Sequence, residues 1–385
     1  MPEQNSIDLI SRLVAFDTTT GNSNLPLIAF VEDYLLSHGV PSRRVYGEDK
    51  DKANLIATIG PVERPGYILS GHTDVVPVRP ENWTTDPFVA DIRDGRIYGR
   101  GTADMKSFVA LVLAKVPRMI ASDLQKPLHL AFSYDEEIGC IGVRDIIAEM
   151  TDWSVQPEAC FVGEPTGMQV VIGHKGKRSV RVKVTGKAGH SSLAPEGVNA
   201  IEFAAALVSK IRDIGARLAA NSRDELYDVP HTTAQTGVIE GGRQLNIVPD
   251  RCTFEFEFRV IGHDDGDALV EEVMAYARDE LEPGMRKVAP EAGFAFDMKV
   301  GYDGLDTEAD APVVTLTKAL ADQNGHSKVS FGAEAGLYAS RGGVPSVLCG
   351  PGSISQAHKT DEFIELDQVE RCERFLDRLI AHAAA

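Results

Sequence analysis

Seven acidic or imidazole side chains in this 385-residue chain have the types and surroundings to do chemistry together: His72, Asp74, Asp104, Glu136, Glu137, Glu164 and His358. Six of them follow short apolar runs. Tyr67-Ile-Leu-Ser70 leads into Gly71-His72-Thr73-Asp74, and Leu128–Ser133 leads into Tyr134-Asp135-Glu136-Glu137. Ala159–Val162 leads into Gly163-Glu164-Pro165, and Ser346–Cys349 into Gly350-Pro351-Gly352 and then His358. Asp104 lies in Gly99-Arg-Gly-Thr-Ala-Asp-Met-Lys-Ser107, a Gly-rich turn opening an apolar helix predicted over Phe108–Ile120. Several carboxylates in one crevice oppose joint ionisation, so either some hold protons or cations neutralise them. Imidazole plus carboxylate suits zinc, with manganese or cobalt as looser alternatives.

The count fits two ions sharing one carboxylate. His72, Glu164 and a shared Asp104 serve one ion; His358, Glu137 and the same Asp104 serve the other. Glu136 is left beside a ligand and free to act as general base on a water between the metals. Asp74, two residues beyond His72, is placed to accept the other N–H of that imidazole. Each residue alone has a plainer reading: a lone Asp or His is usually a cap or a solvated group, Asp-Glu-Glu an acidic turn, Asp104 an N-cap. The joint pattern at four run ends and a Gly-rich turn favours the metal reading.

The elements that must position these residues are those of an α/β sheet, with apolar runs short enough to be buried strands alternating with helical patterns. Ligand sites of such sheets collect at the C-terminal strand ends. The middle of the chain differs. Arg178–Thr185 and Cys252–Val260 alternate polar and apolar, Val198–Leu218 and Asp264–Glu280 are helical in period, and Thr232–Ile239 and Phe294–Val300 are strand-like. That β-α-β-β-α-β order predicts a ferredoxin-like module at 174–304, inserted into a sheet domain formed by 1–173 and 305–385.

Composition narrows the partners. Acidic residues number 57 against 39 basic, a formal charge of −18. That sign disfavours nucleic acid and anionic membrane surfaces. Met1–Asp8 lacks the pattern of a signal peptide, no apolar run reaches the ~20 residues of a membrane span, and five scattered cysteines suggest reduced thiols. The expectation is a cytoplasmic protein.

Ser70-Gly-His-Thr-Asp-Val-Val-Pro77, Gly99–Lys106, Ser133-Tyr-Asp-Glu-Glu-Ile-Gly139 and Gly163-Glu-Pro-Thr166 resemble motifs of the dinuclear-zinc amidohydrolase family, and the likeness spans nearly the whole chain. It implies an α/β fold: a mixed-sheet, zinc-exopeptidase-like catalytic domain with helices on both faces, plus an inserted ferredoxin-like α+β domain acting as lid and dimerisation module. It implies two Zn2+ per subunit, with Co2+ or Mn2+ as substitutes, on His72, Asp104, Glu137, Glu164 and His358. Glu136 matches the catalytic base, Asp74 the acid behind a ligand, and Asp104–Met105 a cis peptide bond. The resemblance alone supplies His190, in Gly186-Lys-Ala-Gly-His-Ser-Ser192, as a histidine that bonds the developing oxyanion across a homodimer interface. Without it His190 is a surface loop residue. Asn246 and Arg259 match positions approaching substrate, although Arg259 is equally a plain strand charge.

Tyr134–Cys140, Gly163–Met168 with His174-Lys-Gly-Lys177, and Phe331–Leu337 are most similar to the branch that deacetylates N2-acetyl-L-ornithine. A desuccinylase is expected to carry arginine near His174 and Lys175, for a second carboxylate; His174-Lys-Gly-Lys177 contains none. Glu334 is either the partner of a cationic side-chain amine or a helix-start carboxylate, and Ala333 stands where relatives often have threonine. The expected substrate is a small N-acyl amino acid; desuccinylase, aminoacylase and dipeptidase activities are alternatives within the same chemistry. A metal-binding scaffold without catalysis needs neither Glu136 nor His190.

Overall fold

Tyr67–His72, Leu128–Ser133, Ala159–Pro165 and Ser346–Gly350 are strands buried at every position. Continuous apolar runs of this kind suit parallel strands covered on both faces. All four run the same way, with Leu69 opposite Leu130 and Phe161, and Val347 also opposite Phe161. Their C-terminal ends therefore share one edge. Two strands extend further than their apolar runs: His72 pairs with Ser133, and Pro165 with Gly350. His72 and Glu164 are thus held inside strands rather than just beyond them.

The computed structural model describes residues 1–48, 50–78 and 82–385, and the chain divides into two compact units. The first comprises Met1–Gly173, Leu305–Lys328 and Ala333–Ala385. Its sheet is mixed and nine-stranded among the described residues. In spatial order it runs Ser42–Tyr46, Ala53–Ile59, Leu128–Ser133, Tyr67–His72, Ala159–Pro165, Ser346–Gly350, Val171–His174 and Leu305–Asp306, with Ser327–Val329 beside Val171–His174. The first two strands are antiparallel. Helices cover both faces. Gln4–Val14, Lys106–Ala114, Pro312–Ala321 and Leu366–Ala383 form one layer; Val143–Met150 and Ala335–Ser340 lie on the other side.

Close packing ties the Lys106–Ala114 helix to the central strands. Phe108 is fully buried, and a Cβ on Gly163 would lie 2.0 Å from its ring. Burying such a side chain contributes roughly 1.5–3 kcal/mol. The single apolar helix predicted over Phe108–Ile120 is two helices, Lys106–Ala114 and Val116–Ala121. Pro117 explains the break, because it lacks the N–H that would continue the ladder.

The second unit, His174–Gly304 with Val329–Gly332, contains a four-stranded antiparallel sheet in the order Thr233–Gly241, Arg251–Val260, Gly176–Thr185, Gly293–Met298. Val180, Val182 and Val184 alternate into one core with Phe254, Phe256 and Phe258, against Leu207 and Ile211 of Ala200–Asn221 and Val273 of Gly266–Tyr276. Asn199 and Asp265 cap those two helices through backbone N–H groups. This is the ferredoxin-like arrangement. The five cysteines are buried and unbridged, and among the described residues no helix is long and apolar enough to cross a membrane.

Candidate metal centre

Each side chain arrives at the common strand edge by its own route. His72 ends its strand, and its Nε2 lies 2.9 Å from Asp104 Oδ1. Its Nδ1 donates to the Asp74 carbonyl at 2.9 Å, while the nearer Asp74 carboxylate oxygen is 3.5 Å away. The Asp74 carboxylate also accepts from the backbone N–H groups of Glu136 and Glu137, at 3.1 and 3.2 Å. It fixes the turn carrying both glutamates. The same residue thus faces the imidazole with its carbonyl at 2.9 Å and its carboxylate at 3.5 Å.

The exposed His358, in a loop with φ +58°, brings Nε2 to 3.1 Å from Glu137 Oε2 and 3.3 Å from Asp104 Oδ2. Donor atoms of His72, Glu136 and Glu164 lie within 4.8 Å of one another, as do those of His72, Asp104 and Glu137. The peptide bond Asp104–Met105 is cis.

The electrostatics follow from this crowding. Burial raises the proton affinity of Glu136 well above the ordinary value, opposed by His72 and reinforced by Glu137, Glu334 and Asp74. Burial and then the Asp104 and Glu136 charges do the same to Glu164. Glu137 is pushed up to about 7 by burial and Asp104. Bonds to Asp104 and Glu137 push His358 up to about 10. Burial lowers His72, but its bonds to Asp104 and Asp74 outweigh that and hold it well above normal. Asp104 is lowered: burial opposes its charge, and the two imidazoles overcome it.

The crevice therefore holds more carboxylate than it can ionise without added positive charge. Glu164 Oε1 is buried with no hydrogen-bond partner, a lone pair that a cation would satisfy. Two imidazoles among carboxylates are also the donor mixture zinc takes. The residues fit a metal.

Glu334 lies fully buried beneath the strands, its oxygens accepting from the Ser70 hydroxyl at 3.0 Å and from the Ser133 hydroxyl. Neither oxygen is offered outward, and the side chain does not cap the Ala335–Ser340 helix. In the second unit His190 is exposed, with Nδ1 2.7 Å from the Ser192 hydroxyl. Asn246 is its neighbour, its carbonyl accepting from Ser191 N–H at 3.1 Å. Arg259 donates to Glu257 at 3.1 Å and to the Tyr302 hydroxyl at 3.0 Å.

Three residues near the cluster were not singled out by the sequence. Cys140 Sγ lies 3.2 Å from Glu136 Oε1. Arg100 and Glu362, each 1% exposed, form an ion pair of 2.9 Å beside the Asp104 turn. The signals were present, an arginine inside the Gly-rich turn and a glutamate four residues after His358, but spacing alone attaches neither to a partner.

A mixed α/β sheet with imidazoles and carboxylates gathered at its C-terminal edge defines a metal-dependent hydrolase. The comparisons agree: residues 68–382 match peptidase family M20/M25/M40, and the chain belongs to that family. It is 33% identical over 380 residues to acetylornithine deacetylase of Myxococcus xanthus, covering 97% of this chain and 96% of that protein. Among solved structures it resembles a tripeptidase from Staphylococcus aureus (TM-score 0.78, 22% identity, covering 100% and 99% of the two chains). It also resembles an M20-family metallo-carboxypeptidase from Sulfolobus solfataricus (TM-score 0.76, 19% identity, 99% of each chain).

Proposed function

We propose that this hydrolase removes the acetyl group of N2-acetyl-L-ornithine, giving L-ornithine and acetate in arginine biosynthesis, as a cytoplasmic homodimer joined through its 174–304 unit. The observation that carries the reading is the convergence of His72, Asp104, Glu137, Glu164 and His358 around a half-buried Glu136. The full-length likeness to acetylornithine deacetylase supports the substrate.

His72, Glu164 and Asp104 would hold one Zn2+, and His358, Glu137 and Asp104 a second, with Co2+ or Mn2+ as substitutes. Bound there, the cations supply Lewis acidity for the amide carbonyl and lower the pKa of water. Glu136 moves the proton. The water oxygen attacks the acyl carbon while Glu136 takes its proton. The C–N bond then breaks, and Glu136 returns that proton to the leaving nitrogen. Asp74 keeps Glu136 aimed by accepting its backbone N–H. His190 of the partner subunit donates to the developing oxyanion, and Asn246 and Arg259 contact the amino-acid portion.

The test is Glu136→Gln in zinc-loaded protein. It is expected to keep its metal and lose at least about a hundredfold in kcat, the low end for general acid–base catalysis; near-normal turnover overturns the assignment. A panel of acetylornithine, succinyl-diaminopimelate, simple acyl-amino acids and dipeptides tests the substrate. The highest kcat/KM is expected for acetylornithine, and preference for another member replaces it.

A further inference from the structure

The ligands differ in what holds them. His72 and Glu164 sit inside buried strands. Asp104 and His358 lie outside regular elements, in a turn before the Lys106–Ala114 helix and in a loop. Something else must fix them.

Glu362 is placed to do so. The short strand Phe363–Glu365 pairs with Arg96–Tyr98, which sets Glu362 against the Gly-rich turn. Its Oε1 accepts from Ala103 N–H at 2.8 Å and Asp104 N–H at 3.1 Å; its Oε2 accepts from Gly101 N–H at 3.1 Å and the Arg100 guanidinium at 2.9 Å. Its own carbonyl accepts from Gly99 N–H at 2.9 Å. Arg100 extends the clamp in two more directions, to the Lys359 carbonyl at 3.2 Å and the Pro77 carbonyl at 3.4 Å. One buried ion pair thus ties together the segment after His72, the turn bearing Asp104 and the loop bearing His358. Asp74 does the equivalent for the Glu136–Glu137 turn.

We infer that the Arg100–Glu362 pair is the positioning device that sets metal affinity, by holding the shared ligand Asp104 in register with His358. This rests on the metal reading above. A buried charge is costly unless it is paired and fully hydrogen-bonded; Glu362 meets that condition through Arg100 and the N–H groups of this one turn, and groups that orient ligands typically govern affinity 10–100-fold.

The experiment is Zn2+ competition against a chromophoric chelator, with the visible spectrum of the Co2+-loaded protein as a second readout. Each protein is measured well below its own unfolding midpoint. Glu362→Gln is nearly isosteric but turns an amide N–H toward Gly101 N–H and Arg100. Glu362→Asp keeps the charge and withdraws both oxygens by one methylene. Both are expected to weaken zinc binding about 10–100-fold and to alter the cobalt spectrum. Lys115→Met is the control, removing a buried cation that pairs with Glu3 and Asp377 away from the cluster; it is expected to lower the midpoint and leave affinity and spectrum unchanged. Unchanged zinc affinity in both Glu362 variants overturns the inference, and so does an equal loss in Lys115→Met. If the unmutated protein binds no zinc, the metal reading itself fails, an outcome distinguishable because it needs no variant.

Discussion

His129 shows how burial alone sets a side chain's chemistry. It is 5% exposed, its Nδ1 is 3.0 Å from the Thr58 hydroxyl, and its ring lies against Trp153 at a centroid distance of 4.7 Å. Burial lowers its pKa to about 4, against 6.5 for an ordinary imidazole. Between those values the unfolded chain binds a proton that the folded chain refuses, so stability falls as pH drops from about 6.5 toward 4. His174 is lowered to about 4 in the same way, by burial. In metal-loaded protein, His129→Gln is expected to lose about 2 kcal/mol less than the wild type between pH 7 and 5. Denaturant titrations at the two pH values check this; parallel pH dependence would refute it. At this scale the sequence was informative about residue type and weak about partner. The seven acid and imidazole groups were legible because each sits in a distinctive local pattern. The clamp was not, because Glu362 bonds backbone N–H groups about 260 positions away. Glu334 reads in the sequence as the partner of a cationic amine or as a helix-start carboxylate, and only the packed sheet shows it beneath Ser70 and Ser133.

Among the elements, the Ala159–Pro165 strand and the Lys106–Ala114 helix meet at Gly163 and Phe108 with no room for a Cβ between them. Gly163→Ala would drive a methyl group into the Phe108 ring. A loss of about 1–3 kcal/mol is expected, together with weaker metal binding because Glu164 is the next residue. Phe108→Leu should restore part of both; thermal unfolding and zinc titration of the double variant decide. The central strands were legible as short apolar runs, and the alternating strands of the second unit as half-exposed ones, since both periods follow from backbone geometry. Strand ends were less so. His72 and Glu164 join strands because a neighbouring backbone is there to pair with, which is a tertiary fact. The split of Phe108–Ile120 was legible in Pro117 but concealed by the apolar run around it.

In the whole molecule the two units have separate cores. Every proposed ligand residue belongs to the first, so bound metal is expected to act on its stability. At zinc about a hundredfold above Kd, each site adds about 2.7 kcal/mol. Calorimetry with and without chelator is expected to move the transition of the first unit and leave that of the second in place. Equal shifts in both, or none, would count against the placement.

The order of parts along the chain has a consequence for how the molecule is made. Ser346–Gly350 inserts between Ala159–Pro165 and Val171–His174, two strands synthesised far earlier, and His358 follows it. Until that late segment emerges from the ribosome, the nascent protein has a gap in its sheet, and one of its two proposed cation cradles lacks its histidine. A prematurely terminated product is therefore expected to be inactive, however well its earlier parts have folded.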